Sequence, residues 1–257
     1  MWEARLLSAS NLTVRYGGYL ALDDVSVVVP DGEVVCVLGS NGSGKSTLLN
    51  AISGLVESTG TVTFHGEALQ GVPTFERLGR GLAHVLERRR LFPYMTVHEN
   101  LLLGAWLPSL RRDRARAIER VEALFPILHQ RRGQLAHSLS GGEQQQVAIA
   151  RALMANPRCI MLDEPFLGLS PRMVLEISAV IRAINAQGVT VLFNEQSLQH
   201  SLGLSHRGYI LESGRLAISG TSAELLADPR LQRIYMGLEG SDGAEATAMA
   251  GTGAAPT

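Results

Sequence analysis

Residues 39–47 read GSNGSGKST, and Gly39, Gly44, Lys45 and Ser46 fall on the phosphate-binding pattern G-x-x-x-x-G-K-[ST]. The chemistry explains the spacing. Glycines let backbone N–H groups curl around phosphate oxygens where a Cβ would obstruct the bend or the approach, and Ser40, Asn41, Gly42 and Ser43 supply the rest of that cradle. Lys45 is placed to reach β- and γ-phosphates. Ser46 offers a hydroxyl to Mg²⁺, and Thr47 is expected to open a helix over 48–55 whose N-terminal amides favour negative charge. The preceding run EVVCVL at 33–38 is short, apolar and β-branched, as a buried strand feeding such a loop should be.

Two further constellations can act on a phosphate. The run IMLDE at 160–164 is an apolar strand ending in two carboxylates. Asp163 can hold the water shell of Mg²⁺, and Glu164 can accept a proton from attacking water. The second is LSGGE at 139–143, continuing QQQVAIARALM. Ser140 reads as an N-cap, and Gly141 and Gly142 expose amides at the start of a helix that also carries Glu143. One nucleotide has a single γ-phosphate, already served by Lys45. A second phosphate device therefore makes best sense for a nucleotide bound by another copy or a partner.

These groups need a scaffold, and 257 residues with 46% hydrophobic content can supply one large domain or two lobes. A net charge of −1 gives no bulk electrostatic reason to expect nucleic acid as a partner. Basic residues cluster locally at 88–90, 111–120 and 131–132, either as a solvated helix face or as a surface toward lipid headgroups or a membrane partner. Cys36 and Cys159 lie in apolar runs without metal-ligand spacing, as reduced core cysteines of a cytosolic protein do. No leader and no membrane-spanning run is evident, so any service to a membrane is expected from outside the lipid.

In chain order, 6–15 and 25–29 read as strands followed by the turns Gly17-Gly18 and Pro30-Asp31-Gly32, an antiparallel layer ahead of the phosphate loop. Tyr16, just before the glycine turn, can stack on a purine ring or pack half-buried. Strands are expected at 60–66 and 82–86, with a helix starting near Pro73 between them. From Thr96 a capping box with Glu99 opens a helical insertion over 96–137, in which Ile118, Val121, Phe125 and Leu128 recur at helical spacing. Parallel-sheet strands return at 159–162 and 189–193 around a helix at 171–187, then a hairpin at 208–212 and 215–219. Residues 238–257, small and polar, read as a disordered tail.

In this order the motifs resemble those of ATP-binding cassette (ABC) ATPases over about residues 5–237. The resemblance implies an α/β fold: a P-loop NTPase core (1–95 and 138–237) with an N-terminal antiparallel β layer and a helical subdomain (96–137). It implies ATP and Mg²⁺ as cofactors, Tyr16 as the adenine-stacking aromatic, residues 39–47 as Walker A and residues 140–143 as the signature. It also implies Asp163 as the Walker B acid, Glu164 as general base and residues 168–171 as the D-loop. Most cassettes carry a glutamine where this chain has Glu87 and a switch histidine where it has Gln196. That pairing, in VLERRRLFPYMTVHENL and VLFNEQS, resembles one ATPase subunit of branched-chain amino-acid importers, as does the ending LLADPRLQRIYMGLE.

On that reading Glu164, Lys45 and Gln196 are catalytic, and Ser46, Asp163 and Glu87 face the metal. The implied partners are membrane permease subunits, a second cassette and, indirectly, an extracytoplasmic solute-binding protein. The implied place is the cytoplasmic face of the cell membrane. Departures from the pattern are Leu86 for proline, Arg88 for glycine, Asn194 for an apolar residue, and Phe166-Leu167 for a small or polar pair. A urea or amide importer ATPase is the nearest alternative. A soluble cassette acting on nucleic acid would normally show two cassettes or a long coiled coil, and a GTPase would show a guanine-reading N-K-x-D.

Overall fold

The computed structural model describes residues 5–231. The expected tail at 238–257 and the end of LLADPRLQRIYMGLE lie outside them. Strands β1 (Arg5–Tyr16) and β2 (Tyr19–Pro30) pair antiparallel across the Gly17-Gly18 turn. Next come β3 (Val34–Leu38), helix α1 (Lys45–Ser53), β4 (Thr59–Phe64), the short β5 (Glu67–Ala68), α2 (Thr74–Gly79) and β6 (Leu82–Val85). A helical segment holds α3 (Val97–Gly104), α4 (Arg114–Leu124) and α5 (Pro126–Gln130), and α6 (Gly141–Leu153) follows it. The chain then alternates through β7 (Cys159–Asp163), α7 (Pro171–Ala186), β8 (Thr190–Glu195) and α8 (Leu198–Leu204) to the hairpin β9 (Arg207–Glu212) and β10 (Arg215–Thr221), with α9 (Ser222–Ala227) after it.

Two sheets result. One is four-stranded and antiparallel in the order β2-β1-β4-β5; the other is six-stranded in the order β10-β9-β3-β8-β7-β6. Within the second, β3, β6, β7, β8 and β9 pair in parallel, and β10 returns antiparallel. Strand β3 explains why the run at 33–38 is continuously apolar. Val34, Cys36 and Leu38 pack into a cluster with Ile149, Ile177 and Ile181 of the helices on one face. Val35 and Val37 pack with Leu48, Leu49 and Ile52 of α1 and with Leu12 and Val27 of the antiparallel sheet on the other. A sheet covered on both faces leaves polar groups room only beyond its strand ends. Since β3, β7 and β8 are parallel, the loops after Leu38, Asp163 and Glu195 open on the same edge, where α/β sheets bind ligands. The two sheets are tied by Tyr209, whose hydroxyl donates to Val28 O and accepts from Val28 N, both at 2.9 Å.

Three local expectations change. Helix α1 begins at Lys45, ahead of Thr47, because left-handed Gly44 (φ 104°) serves as its N-cap. The period linking Ile118 to Leu128 is broken at Phe125, whose extended backbone (φ −130°, ψ 78°) is what a residue before proline adopts. Val121, Phe125 and Leu128 are nevertheless buried, and Ile118 is half-buried. Residues 88–90 are on no helix face: Arg88, Arg89 and Arg90 are consecutively left-handed (φ 61°, 66° and 45°) in the loop between β6 and α3.

Helix α3 is fixed at its start by the Thr96–Glu99 capping box, with Thr96 N donating to Glu99 Oε2 at 2.8 Å. Its end lies against α6 at Gly104, where a Cβ would collide with the Arg151 carbonyl oxygen and stand 2.9 Å from Met154 Cβ. Gly104→Ala should therefore prise α3 from α6 and destabilise the fold by about 1–3 kcal/mol, the usual cost of overpacking. Chemical denaturation of both proteins measures it; an unchanged midpoint would mean that the two helices separate at no cost.

Candidate active site

The phosphate loop leaves β3 at Gly39 and turns into α1 at Gly44, where a Cβ would stand 2.7 Å from Leu22 Cδ2 and 2.9 Å from Ala21 O. The loop is thus pressed onto the antiparallel sheet, and only glycine fits that seam. Lys45, 4% exposed, donates from Nζ to the carbonyls of Gly39 and Ser40, each at 3.0 Å. The same ammonium lies 3.8 Å from Glu164 Oε1. Ser46 Oγ donates to Asp163 Oδ1 at 2.8 Å, joining the loop to the end of β7.

Glu164 stands one residue past that strand in a left-handed conformation (φ 46°) rare for a side-chain-bearing residue. Its N–H donates to Asn194 Oδ1 at 2.7 Å, and Gln196 Nε2 donates to Glu164 Oε1 at 3.4 Å. The carboxylate is therefore flanked by an ammonium and an amide. Both stabilise negative charge.

A cavity of about 410 Å³ opens over these groups, within the usual range of small-molecule sites. Tyr16, Asn41, Gly42, Gly44, Lys45, Ser46, Thr47, Glu87, Glu164 and Gln196 line it, with Tyr19, Ala21 and Leu167. Gly39 and Ser40 contribute their carbonyls to Lys45 and line no part of the wall; Ser43 Oγ is buried without a partner. A larger cleft of about 540 Å³ lies along Arg77 and residues 54–58. Its guanidinium is spent on the carbonyls of Leu69, Val72 and Ile52, so volume alone does not single out the chemistry.

Ser140, Gly141, Gly142 and Glu143 do not line the 410 Å³ cavity. They form the N-terminus of α6 with a complete capping box: Ser140 N donates to Glu143 Oε2 at 2.8 Å and Glu143 N to Ser140 Oγ at 3.3 Å. Those hydrogen bonds hold the Glu143 carboxyl below the ordinary glutamate range, with Arg131 3.5 Å away adding to the effect. Ser140 is exposed, so this anion-favouring helix end faces outward.

No role for Tyr19, Asn194 or Glu195 follows from the motifs. Tyr19 pairs with Tyr16 across the glycine turn, which a two-residue hairpin loop between tyrosines could have signalled. Asn194 and Glu195 are polar residues in a strand buried along its whole length. Glu195 accepts from Phe166 N at 2.9 Å and Gln196 N at 3.2 Å, bracing the loops after β7 and β8. Burial raises its carboxyl above the ordinary glutamate range despite those bonds, and Glu164 nearby adds to the shift.

Asp163 is buried behind Ser46 and lines no part of the cavity. A glycine-lipped loop between a buried parallel strand and a helix, with a lysine, a hydroxyl and the Glu164 carboxylate on one cavity and the Asp163 carboxylate bonded to that hydroxyl, defines a phosphate-loop nucleotide hydrolase. The ABC transporter family model matches residues 22–167, more than half of the chain. The chain is 41% identical to a high-affinity branched-chain amino acid transport ATP-binding protein, BraG, of Pseudomonas aeruginosa, across 90% of this chain and all of that protein. It is 38% identical to a lipopolysaccharide export system ATP-binding protein, LptB, of Acidithiobacillus ferridurans, covering 91% and 98% respectively. Among solved structures, an ATP-binding cassette of an ABC transporter in its ADP conformation superposes with a TM-score of 0.79 at 31% identity, over 91% of this chain and 99% of that one. This chain belongs to the ABC transporter family and is its ATP-hydrolysing, nucleotide-binding subunit.

The raised Glu195 carboxyl has a consequence for stability. A group whose folded pKa lies above its unfolded value favours folding at low pH and loses that contribution as pH rises through the folded pKa. Glu195→Gln keeps an acceptor for Phe166 N–H without the buried charge but gives up the acceptor for Gln196 N–H. Its melting temperature relative to wild type should therefore be most favourable at pH 8 and decline as pH falls below the ordinary glutamate range. Melting curves across pH check this; a difference that moves in the variant's favour on acidification would contradict it.

Proposed function

We propose that this chain powers uptake of branched-chain or related hydrophobic amino acids. It would act as one of two cassettes, at the cytoplasmic face of the membrane, beneath separate permease subunits fed by an extracytoplasmic solute-binding protein. The observation that carries this reading is the 41% identity along the whole of a relative named for branched-chain amino acid transport. The Glu87 and Gln196 pairing supports it. The relatives named for lipopolysaccharide export support a second reading, in which the same cassette serves an exporter. Among the described residues no helix is long and apolar enough to cross a membrane.

In our reading ATP occupies the 410 Å³ cavity with its base against Tyr16 and its phosphates over the loop. Lys45 can exchange two neutral carbonyl acceptors for charged phosphate oxygens, the stronger partners. Ser46, on the same cavity wall as Glu87, and Asp163, 2.8 Å behind Ser46, would form the small all-oxygen donor set that suits Mg²⁺, an ion that takes one or two carboxylates and completes its shell with water and phosphate. The ion would neutralise phosphate charge. Glu164 takes the proton of the attacking water, since Gln196 can donate a hydrogen bond but cannot titrate usefully. The outward-facing cap from Ser140 to Glu143 would close on the γ-phosphate held by the second cassette.

For the permease dock, a groove of about 450 Å³ between residues 83–92 and α3 exposes Leu86, Phe92, Leu103 and Trp106 beside Arg90. An amphipathic permease segment fits that mixture of apolar wall and positive rim. Arg90 lines it with Leu103 and Gly104 of α3 and with Ala148, Arg151 and Ala152 of α6, so a push there would reach the loop bearing Glu87 on one side and α6 on the other.

Two experiments test the reading. In single-turnover ATPase assays Glu164→Gln should lose about 10²-fold or more in rate while still binding MgATP, and light scattering should then show a closed pair of chains. Gln196→Ala should slow turnover only modestly; equal inactivity of the two variants would make Gln196 part of the chemical step. For the transported solute, deletion of the gene should abolish high-affinity uptake of labelled leucine, isoleucine and valine, restored by the wild-type chain and not by Glu164→Gln. Unimpaired uptake would turn the assignment toward the export reading.

A further inference from the structure

We infer that Asn194 is a positioning residue for ATP hydrolysis, holding Asp163 and Glu164 in register with each other and with the phosphate loop. The inference rests on the roles proposed above for those two acids. Asn194 is fully buried, the next-to-last residue of β8, and every other residue of that strand is buried too. A primary amide in such a place costs stability unless its polar atoms are matched.

Both ends of the amide are matched, and the partners are consecutive residues. Nδ2 donates to Asp163 Oδ1 at 2.7 Å, and Oδ1 accepts from Glu164 N at 2.7 Å. The contact is possible because Asp163 and Asn194 are register partners in the parallel β7–β8 pair, whose ladder ends there. Past that point the chain turns left-handed at Glu164 (φ 46°), which removes its N–H from the ladder. Asn194 supplies the acceptor that the sheet no longer provides. It thereby stabilises a conformation that a residue with a Cβ adopts only at a cost.

The second bond bears on Asp163. Its Oδ1 takes two donors, Asn194 Nδ2 at 2.7 Å and Ser46 Oγ at 2.8 Å, which fixes the rotation of the carboxylate. One side chain thus sets which way Asp163 turns and where the Glu164 backbone leaves the strand. An apolar side chain here, which the ABC resemblance leads one to expect, can do neither. In this chain the geometry of both acids depends on an amide.

The test compares the full-length wild type with Asn194→Val, a β-branched residue suited to the strand, and with Asn194→Ala in case valine prevents folding. Three quantities are measured: the single-turnover ATPase rate, the Mg²⁺ concentration for half-maximal binding of a fluorescent ATP analogue, and that analogue's affinity in EDTA. The expected result is a rate lower by about tenfold to a hundredfold, the scale of a misplacement near 1 Å. The Mg²⁺ requirement should rise severalfold and affinity in EDTA stay near wild type, while the melting temperature falls by only a few degrees for the lost buried hydrogen bonds, leaving the variants folded at the assay temperature. A folded variant with wild-type rate and Mg²⁺ dependence overturns the inference, as does a rate loss in both variants that merely follows a collapse in melting temperature. If wild-type binding itself ignores Mg²⁺ and Glu164→Gln hydrolyses normally, the underlying assignment of the acids fails, and this inference with it.

Discussion

Burying an ammonium inside a protein is costly unless its donors are used, and the Lys45 side chain is 4% exposed. Three separate parts of the chain surround it, and two of them supply its partners. The loop itself offers the Gly39 and Ser40 carbonyls, and the segment after β7 offers the Glu164 carboxylate at 3.8 Å. The walls around them are the antiparallel sheet, which meets the loop at Ala21 and Leu22, and the strand β3 that delivers it. A charge held this way cannot be moved without rearranging all three. On the proposed reading the two carbonyls would be exchanged for phosphate oxygens, which as charged acceptors are the stronger partners.

Some of the irregular backbone lies in the loops that follow the parallel strands. Glu164 and the run Arg88, Arg89 and Arg90 are left-handed, and Glu164, Arg89 and Arg90 are held by groups from elsewhere in the fold. Asn194 takes the Glu164 N–H, while Arg151 Nη2 on α6 donates to the carbonyls of Arg89 at 3.3 Å and Arg90 at 2.8 Å. Arg89 in turn approaches Gln144 on α6 at 3.5 Å, and its guanidinium lies over Gly141. The loop bearing Glu87 is therefore fastened to the helix whose N-terminus carries Ser140. A displacement of either would be felt by the other through contacts short enough to transmit it.

Much of this was legible in the residues. The spacing GSNGSGKST after an apolar run specifies strand, loop and helix, because backbone amides can surround a phosphate only in that order. S/T-x-x-E at Ser140 and at Thr96 specifies two helix starts, because the cap is a local exchange of hydrogen bonds within four residues; the structure forms both boxes. The alternating turns and β-branched runs likewise announce an antiparallel layer and a parallel core, both formed.

What the tertiary structure decided is whatever depends on residues far apart in sequence. That Asn194 reaches Asp163 and Glu164, 31 and 30 positions away, follows from β7 and β8 being register neighbours, which no local pattern encodes. Three arginines in a row read as a charged helix face until the chain's path from β6 to α3 forces them left-handed, with α6 supplying the donors that make this tolerable. The signature residues and Lys45 both read as phosphate devices, yet the Ser140 cap is exposed and lies outside the cavity that Lys45 lines. Local hydrogen bonding and hydrophobic periodicity are properties of a few consecutive residues and can be read in order. The meeting of strand ends is a property of the whole sheet, so it exists only once the chain has folded.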